Sequence, residues 1–512
     1  MVPYYKKFHT FHPASKKIND QLGLDSYMDL ENQGTHGPVS ATYADVYGPF
    51  NEAWMAAFKG VGFDDNTDPI LGRKLGAFMP PNSIDPKENK RSYSASAYYS
   101  KEIESRPNLD LLTETQVTKV IWDGSEGGVV ANGVQICRKD GSVAEVTADE
   151  VILAAGALQS PQILENSGIG SKEILERHGV EVVVDNPGVG ENLQDHCFTT
   201  VSFEVADGQI SADVVRDPAV VEALVKLYEE TKTGPLSGVP FSLAYVHPVD
   251  INGRMRSEAV ASLIDAYTDV DKSNPSWMKA QYAELHNIML DPNESTCFYG
   301  LMPSQMHVQA EGKTSMQQAY SPQLPQNYIT IMVGLNHPFS RGSVHIGGSN
   351  PRSDPKIDPG YLSHPLDLEI LARGTQFIEK VADHPAMKQL LKTESRLPSG
   401  VNLTDLESAK RVAEDRLWTT YHSSCTCPMM PRELGGVVND RLVVHGTKNV
   451  RVIDASIFPM ITLGNIQATV YAVAERACDL IKQDWSKQWM SLNVWREYHF
   501  FEIAEGQWLV DQ

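Results

Sequence analysis

The chain reads as an α/β protein of more than one lobe, on three observations. Val151-Ile-Leu-Ala-Ala155 is a short unbroken apolar run suited to a buried parallel strand. Gly156 allows a tight exit from it, Ser160-Pro161 reads as a helix start with serine as cap, and Asn166-Ser-Gly168 reads as the stop. Tyr328-Ile-Thr-Ile-Met-Val333 and Gly342-Ser-Val-His-Ile346 carry instead the pattern of neighbouring antiparallel strands. Finally, 512 residues are too many for one simple core, so two or three lobes are expected.

Taken in order, residues 1–95 are rich in turns and aromatics, with Pro80-Pro81-Asn82 marking a loop. Asn108 to Trp122 carries β-branched alternation and reads as strands. Gly133–Arg138 and Ala144–Ala148 read as a hairpin around Lys139-Asp-Gly141. Between Cys197 and roughly Trp418, helical patterns (Val220–Thr231, Leu366–Ala382) alternate with polar loops such as Gln317–Gln326, as in a second lobe inserted into the first. Val450-Arg-Val-Ile-Asp-Ala-Ser456 is strand-like, and the Gly464-Asn465 turn opens onto an apolar helix, Ala468–Ile481. Four of the eight tryptophans (Trp485, Trp489, Trp495, Trp508) lie at or beyond residue 485. Such a tail could cover a groove, dock on a partner or be translated non-coding sequence.

Composition narrows the function classes. Lys+Arg is 44 against Asp+Glu 65, and a net charge of −21 argues against a nucleic-acid partner. No apolar run reaches the ~18 to 20 residues of a transmembrane helix, and Met1–Pro13 has no apolar region of a signal peptide. Six scattered cysteines form no disulfide framework, and Cys425-Thr-Cys427 has the wrong spacing for a zinc knuckle, so no metal site is expected. The sequons at Asn293 and Asn402 matter only in a secreted protein, which leaves the compartment open. Oligomeric state cannot be read.

A series of blocks standing in a fixed order resembles the glucose-methanol-choline (GMC) family of flavin oxidoreductases. They are Arg91–Tyr98, the strand around Val117, Ala154–Ile163, Pro187-Gly-Val-Gly-Glu-Asn-Leu-Gln-Asp-His196, Pro338-Phe-Ser-Arg-Gly342, Ile357–His364 and Tyr421–Ile481. The resemblance spans most of residues 85–482. It implies an FAD-binding, Rossmann-like lobe split in sequence, and an α+β substrate lobe with an antiparallel sheet. It also implies FAD-dependent oxidation of a small-molecule alcohol, with the dehydrogenases of secondary metabolism as the nearest pattern. His422 falls on the family's first active-site position, where an imidazole with a pKa near ~6.5 suits a base at neutral pH. Asn465 falls on the second, where other members carry histidine; its amide can donate to an alkoxide but cannot take a proton, or it could simply cap the following helix. By the same resemblance Ile466 and Gln467 contact the flavin, Asp454 and Ala455 lie by its phosphate-ribitol chain, and the Val117 backbone holds the adenine. For Val117 a plain strand-core role is an equal reading. Arg341, Asp358, Asp195 and His196 read as structural. Cys425 stands where relatives often have glycine, so the loop after His422 is expected to differ in shape.

The sequence has no G-x-G-x-x-G turn with a following acidic residue, which a dinucleotide fold uses to approach a pyrophosphate. The FAD lobe is therefore expected to be incomplete, lacking the N-terminal ADP-binding βαβ segment. The expected division is 1–95, a remnant of the N-terminal region with substrate-lobe contacts; 96–196, the first part of the FAD lobe; 197–415, the substrate lobe; 416–482, the rest of the FAD lobe with the active site; and 483–512, the Trp-rich tail. Two other functions fit the same residues: a non-redox lyase or cyclase on the flavin fold, and an inactive remnant unable to bind FAD.

Overall fold

The computed structural model describes residues 1–491 apart from 65–66, 73–74, 125–127, 273 and 309–314. Along the chain the principal elements begin with α1 (Val2–Lys7), α2 (Pro49–Gly60) and β1 (Gly76–Phe78). Next come β2 (Thr115–Asp123), β3 (Val130–Arg138), β4 (Val143–Thr147), β5 (Val151–Leu153) and α3 (Gly156–Asn166). The middle of the chain supplies β6 (Cys197–Val205), α4 (Pro218–Thr231), β7 (Ser242–Val246), β8 (Cys297–Met302) and β9 (Tyr328–Leu335). It continues with the hairpin β10 (Ser343–His345) and β11 (Lys356–Asp358), then α5 (Pro365–Ala382) and β12 (Leu391–Leu397). Last come β13 (Trp418–Thr419), β14 (Val450–Val452) and α6 (Gln467–Ser491).

Seven strands make one antiparallel sheet in the order β12-β6-β9-β8-β7-β1, with β13 paired to the start of β6. All eight residues of β9 are buried, which is why it reads as a continuous apolar run rather than an alternating one. The helix α5 covers the sheet and buries thirteen of its own residues. It can sit close because Gly374 carries no side chain: a Cβ there would lie 2.7 Å from Val333, and the Gly374 carbonyl accepts the Tyr299 hydroxyl at 2.9 Å. From the other part of the core, α2 buries Phe50, Trp54, Ala57 and Phe58, a helical spacing, and the Trp54 indole donates to the Leu243 carbonyl of β7.

A second hydrophobic cluster draws on two distant stretches, from Val120 to Val189 and from Cys425 to Leu480. Its centre is the parallel pair β5–β14, in register Val151↔Val450 to Leu153↔Val452. Beside it stands the antiparallel sheet β2-β3-β4. The helix α6 runs past Ile481 to Ser491; Trp485 donates to Glu150, whose other oxygen takes the buried Arg451, and Asp484 bridges Arg451 and Arg441. Trp495 and Trp508 lie outside the described residues.

Four expectations are corrected. The helix after β5 begins at Gly156, not Ser160, and Pro161 sits inside it. Ser160 is not its cap, because its hydroxyl is engaged with Asp454 and with the Ala155 N–H. Gly342–Ile346 is no neighbour of β9; it forms β10 and pairs with β11 in a hairpin of its own. Of Asn108–Trp122 only the part from Thr115 onward is strand. The twelve-residue α2 went unread within the turn-rich first stretch, although Pro49 at its first position is a helix-start signal.

The β10 hairpin is clamped to α3 by an ionic contact. His345 Nδ1 lies 2.7 Å from the fully buried Glu165 carboxylate and Nε2 lies 3.2 Å from Glu191. Burial opposes the charged ring, but the two carboxylates outweigh it and raise the pKa to about 9. A group with a raised native pKa stabilises fully below its unfolded value of ~6.5 and loses that contribution as pH rises through the native one. We predict that the stability advantage of the wild type over His345→Gln, measured by urea unfolding, shrinks by about 1–3 kcal/mol between pH 6 and pH 10. A difference independent of pH would mean that the ring is neutral in the fold.

Candidate active site

The sheet brings His422 to its place. The register Cys197↔Thr419 and Phe198↔Trp418 sets Asp195-His196 beside Thr419–His422. The Asp195 carboxylate then accepts from the His422 backbone N–H at 2.9 Å and from the Tyr361 and Thr419 hydroxyls. It is 5% exposed and spends its charge on these donors rather than on a cation. The loop turns sharply: Tyr421 has φ 61° and Cys425 has φ 75°, the left-handed region that favours glycine. Cys425 thus stands in a glycine-like conformation.

The His422 ring, half-buried, faces a cavity of about 250 Å³. The walls are mainly aromatic and sulfur-bearing, Phe241, Tyr245, Phe298, Met302 and Met332 among them, and among the described residues none of those lining it is Asp, Glu, Lys or Arg. Burial lowers the His422 pKa, with Asp195 working against that, so the ring is neutral at pH 7. The lining also includes His196, whose Nδ1 lies 2.9 Å from His422 Nδ1.

Asn465 lines the same cavity. Its amide makes no hydrogen bond among the described residues, so it does not cap α6; Ile466 precedes the helix, and its carbonyl accepts from Val470. Gly464 makes the approach possible, with φ 71° and room for no Cβ, which would fall 2.3 Å from the Tyr245 hydroxyl. The loop ahead of it is pinned by Gln194, whose side chain accepts from the Ile461 N–H at 3.1 Å, and by His337 against the Ile461 carbonyl.

A second cavity of about 480 Å³ adjoins the first and shares Phe241, Leu243, Tyr245 and Asn465 with it. Gln467, Ala468 and Tyr471 of α6 form one side, and Phe8, His9 and Pro80 to Ser83 help form another. The first turn of α6 leaves backbone N–H groups without helical partners there, a favourable setting for negative charge.

Of the residues expected at the site, His422, Asn465 and Gln467 line these cavities. The Ile466 side chain instead belongs to the second hydrophobic cluster. Asp454 is buried, and its carboxylate accepts from the Gly156 N–H, the Ser160 hydroxyl, and the N–H and hydroxyl of Ser456. Its own N–H and that of Ala455 have no partner among the described residues. Val117 lies on β2, half-buried against the second cluster and away from both cavities. Asp195 and His196, read from sequence as structural, prove to hold and touch His422. Their position directly before β6 in a block of family order was the available signal.

Comparisons with known proteins agree with this architecture. GMC oxidoreductase family models match residues 7–198 (N-terminal) and 338–474 (C-terminal). A Monascus purpureus protein, dehydrogenase mpl7, is 32% identical over 495 residues, covering 94% of this chain and 77% of its own length. The GMC oxidoreductase family protein Mala s 12 of Malassezia sympodialis is 31% identical, covering 93% and 72%. Among solved structures, an FAD-dependent oxidoreductase from Chaetomium thermophilum superposes with a TM-score of 0.81 at 27% identity over 95% of this chain and 80% of that one. A fungal aryl-alcohol oxidase follows with 0.78, 25%, 95% and 79%. The expectation that an ADP-binding segment is missing finds no support here, because the N-terminal match already begins at residue 7, within the turn-rich stretch that carries no glycine fingerprint.

If Asp195 anchors the His422 loop, Asp195→Ala leaves a buried N–H and two hydroxyls unpaired and lowers the unfolding free energy by about 2–4 kcal/mol. Tyr361→Phe removes one donor and costs about 1 kcal/mol. Urea titration of both variants checks the ranking, and equal losses would refute it.

Proposed function

The chain belongs to the GMC oxidoreductase family, and from that premise we propose that it catalyses FAD-dependent oxidation of an uncharged, largely apolar alcohol, with His422 as base and Asn465 as its partner. The observation that carries this reading is that a neutral imidazole and an amide line one aromatic-walled cavity, with no charged side chain in its wall and no partner for the amide among the described residues.

FAD fits the residues present. The larger of the two cavities borders the first turn of α6, and Asn465 and Gln467 are among the residues that line it. Those residues would hold the flavin ring, and the partnerless N–H groups of Asp454 and Ala455 are suited to phosphate or ribitol oxygens. Only the family resemblance would bring the adenine to the Val117 backbone, since that residue lines neither cavity. When bound, FAD supplies the acceptor for the hydride that leaves the carbinol carbon.

The chain's own residues do the rest. His422, kept neutral by burial, takes the hydroxyl proton. The Asn465 amide donates to the alkoxide as charge builds on oxygen. The aryl-alcohol oxidase among the structural relatives supports this substrate class.

The test is anaerobic flavin bleaching by an uncharged aromatic alcohol such as benzyl alcohol, with the protein loaded with FAD. We expect His422→Ala to keep the bound-flavin spectrum and to slow reduction by about 10²–10⁴-fold. The wild-type rate should rise with pH through a pKa below ~6.5 and stay level above it, because the base must be unprotonated. Wild-type reduction by His422→Ala would overturn the assignment; substrate turnover without bleaching would favour non-redox chemistry on this fold.

A further inference from the structure

The two histidines in contact at the cavity wall carry more information than their proximity. His196 Nε2 lies 3.0 Å from the backbone carbonyl oxygen of Asn336. A carbonyl only accepts, so Nε2 of His196 carries the proton. In a neutral ring the other nitrogen is then a lone-pair acceptor. That nitrogen, Nδ1, lies 2.9 Å from Nδ1 of His422. One member of such a pair must donate, and His196 cannot, so the proton belongs to His422 Nδ1. His422 Nε2 is left as the basic nitrogen, with no hydrogen-bond partner among the described residues.

We propose that His196 is a positioning residue which, through the Asn336 carbonyl, holds His422 in the Nδ1–H tautomer and so turns its Nε2 lone pair toward the substrate hydroxyl. The idea rests on the reading of His422 as the base and specifies which atom acts.

The arrangement is well anchored. Asn336 follows β9; its N–H donates to the Thr296 carbonyl and its side-chain amide donates to the Ser295 hydroxyl at 2.7 Å. These contacts aim its carbonyl at His196. The Phe298 edge packs on the His196 ring, with centroids 6.1 Å apart. His196 is fully buried, and burial together with His422 and His337 holds its pKa well below the ordinary value, which keeps the ring neutral. The facing titratable groups do not disturb this: Asp195 is occupied by the His422 backbone and two hydroxyls, and His337, pushed down to about 4, is neutral. A free histidine favours the Nε2–H form only slightly, so one well-placed acceptor is enough to decide the tautomer.

The deciding experiment is ¹⁵N NMR of the 512-residue chain labelled at histidine, with FAD added, the two signals assigned by their loss in His422→Gln and His196→Gln. We expect His422 protonated at Nδ1 and unprotonated at Nε2 near pH 7, and His196 the reverse; His422 protonated at Nε2 would overturn the proposal. The reading needs no turnover, so it stands or falls separately from His422 as base, which the bleaching assay tests. Two variants add a functional arm. Glutamine at 196 can still donate to the Asn336 carbonyl and accept from His422 Nδ1–H. His196→Gln should therefore retain the tautomer and lose less than about tenfold in kcat, whereas His196→Leu should move His422 toward Nε2–H and lose roughly tenfold more, with KM little changed. Equal losses in both variants with an unchanged His422 tautomer would reduce His196 to a packing residue and refute the proposal. Should His196→Leu fail to fold, the wild-type spectrum still decides.

Discussion

The Asp195 carboxylate joins two stretches of chain separated by 227 residues, and the geometry of the candidate site follows from that junction. A buried carboxylate with no cation beside it is tolerable only if its oxygens are filled by donors. Here the donors are the His422 backbone and two hydroxyls, so the cost of burying the charge is offset only when the loop from Thr419 to His422 lies in this one position. The short β13 strand supplies direction and the carboxylate supplies register. Removing either would free the imidazole to swing.

A second buried carboxylate does the same work at the other lobe. Asp454, two residues beyond β14, ties that strand to Gly156 and Ser160 in the first turns of α3. Both aspartates lie at strand ends where the backbone leaves the sheet and needs partners for its N–H groups. With these junctions set, the loop from Pro459 to Gly464 spans between them. Its carbonyls and N–H groups meet Asn192, Gln194, Gln281 and His337, which hold the loop that brings Asn465 to the same cavity as His422. Thus the cavity walls come from the first hydrophobic cluster, and the loop that carries Asn465 is anchored in the second through Ile461 and Ile466.

Much of the fold was legible because it is local. The hairpin around Lys139-Asp-Gly141, the helices α4 and α5 and the strand at Val151 each declare themselves by period and by end signals over a dozen residues or so. Errors fell where a tertiary partner overrides a local signal. Ser160-Pro161 looks like a helix start, yet Asp454, nearly three hundred residues away, takes the serine hydroxyl and the helix begins a turn earlier. Likewise β10 has the composition of a large-sheet strand but pairs within its own hairpin, because His345 must reach the buried Glu165.

The sequence by itself determined the chemistry available: a histidine and an asparagine in matched motifs, a glycine before the asparagine, apolar strands to make walls, and the order of blocks that marks the family. These are properties of residue type and spacing, which a linear chain carries in full. Only the tertiary structure decided that Asp195 and His196 belong with His422, that the Asp454 carboxylate is spent within the fold, and that Asn465 is free of a capping role. Each of those depends on which donor meets which acceptor across hundreds of residues, and hydrogen bonds are made at distances near 3 Å that no spacing along a chain encodes.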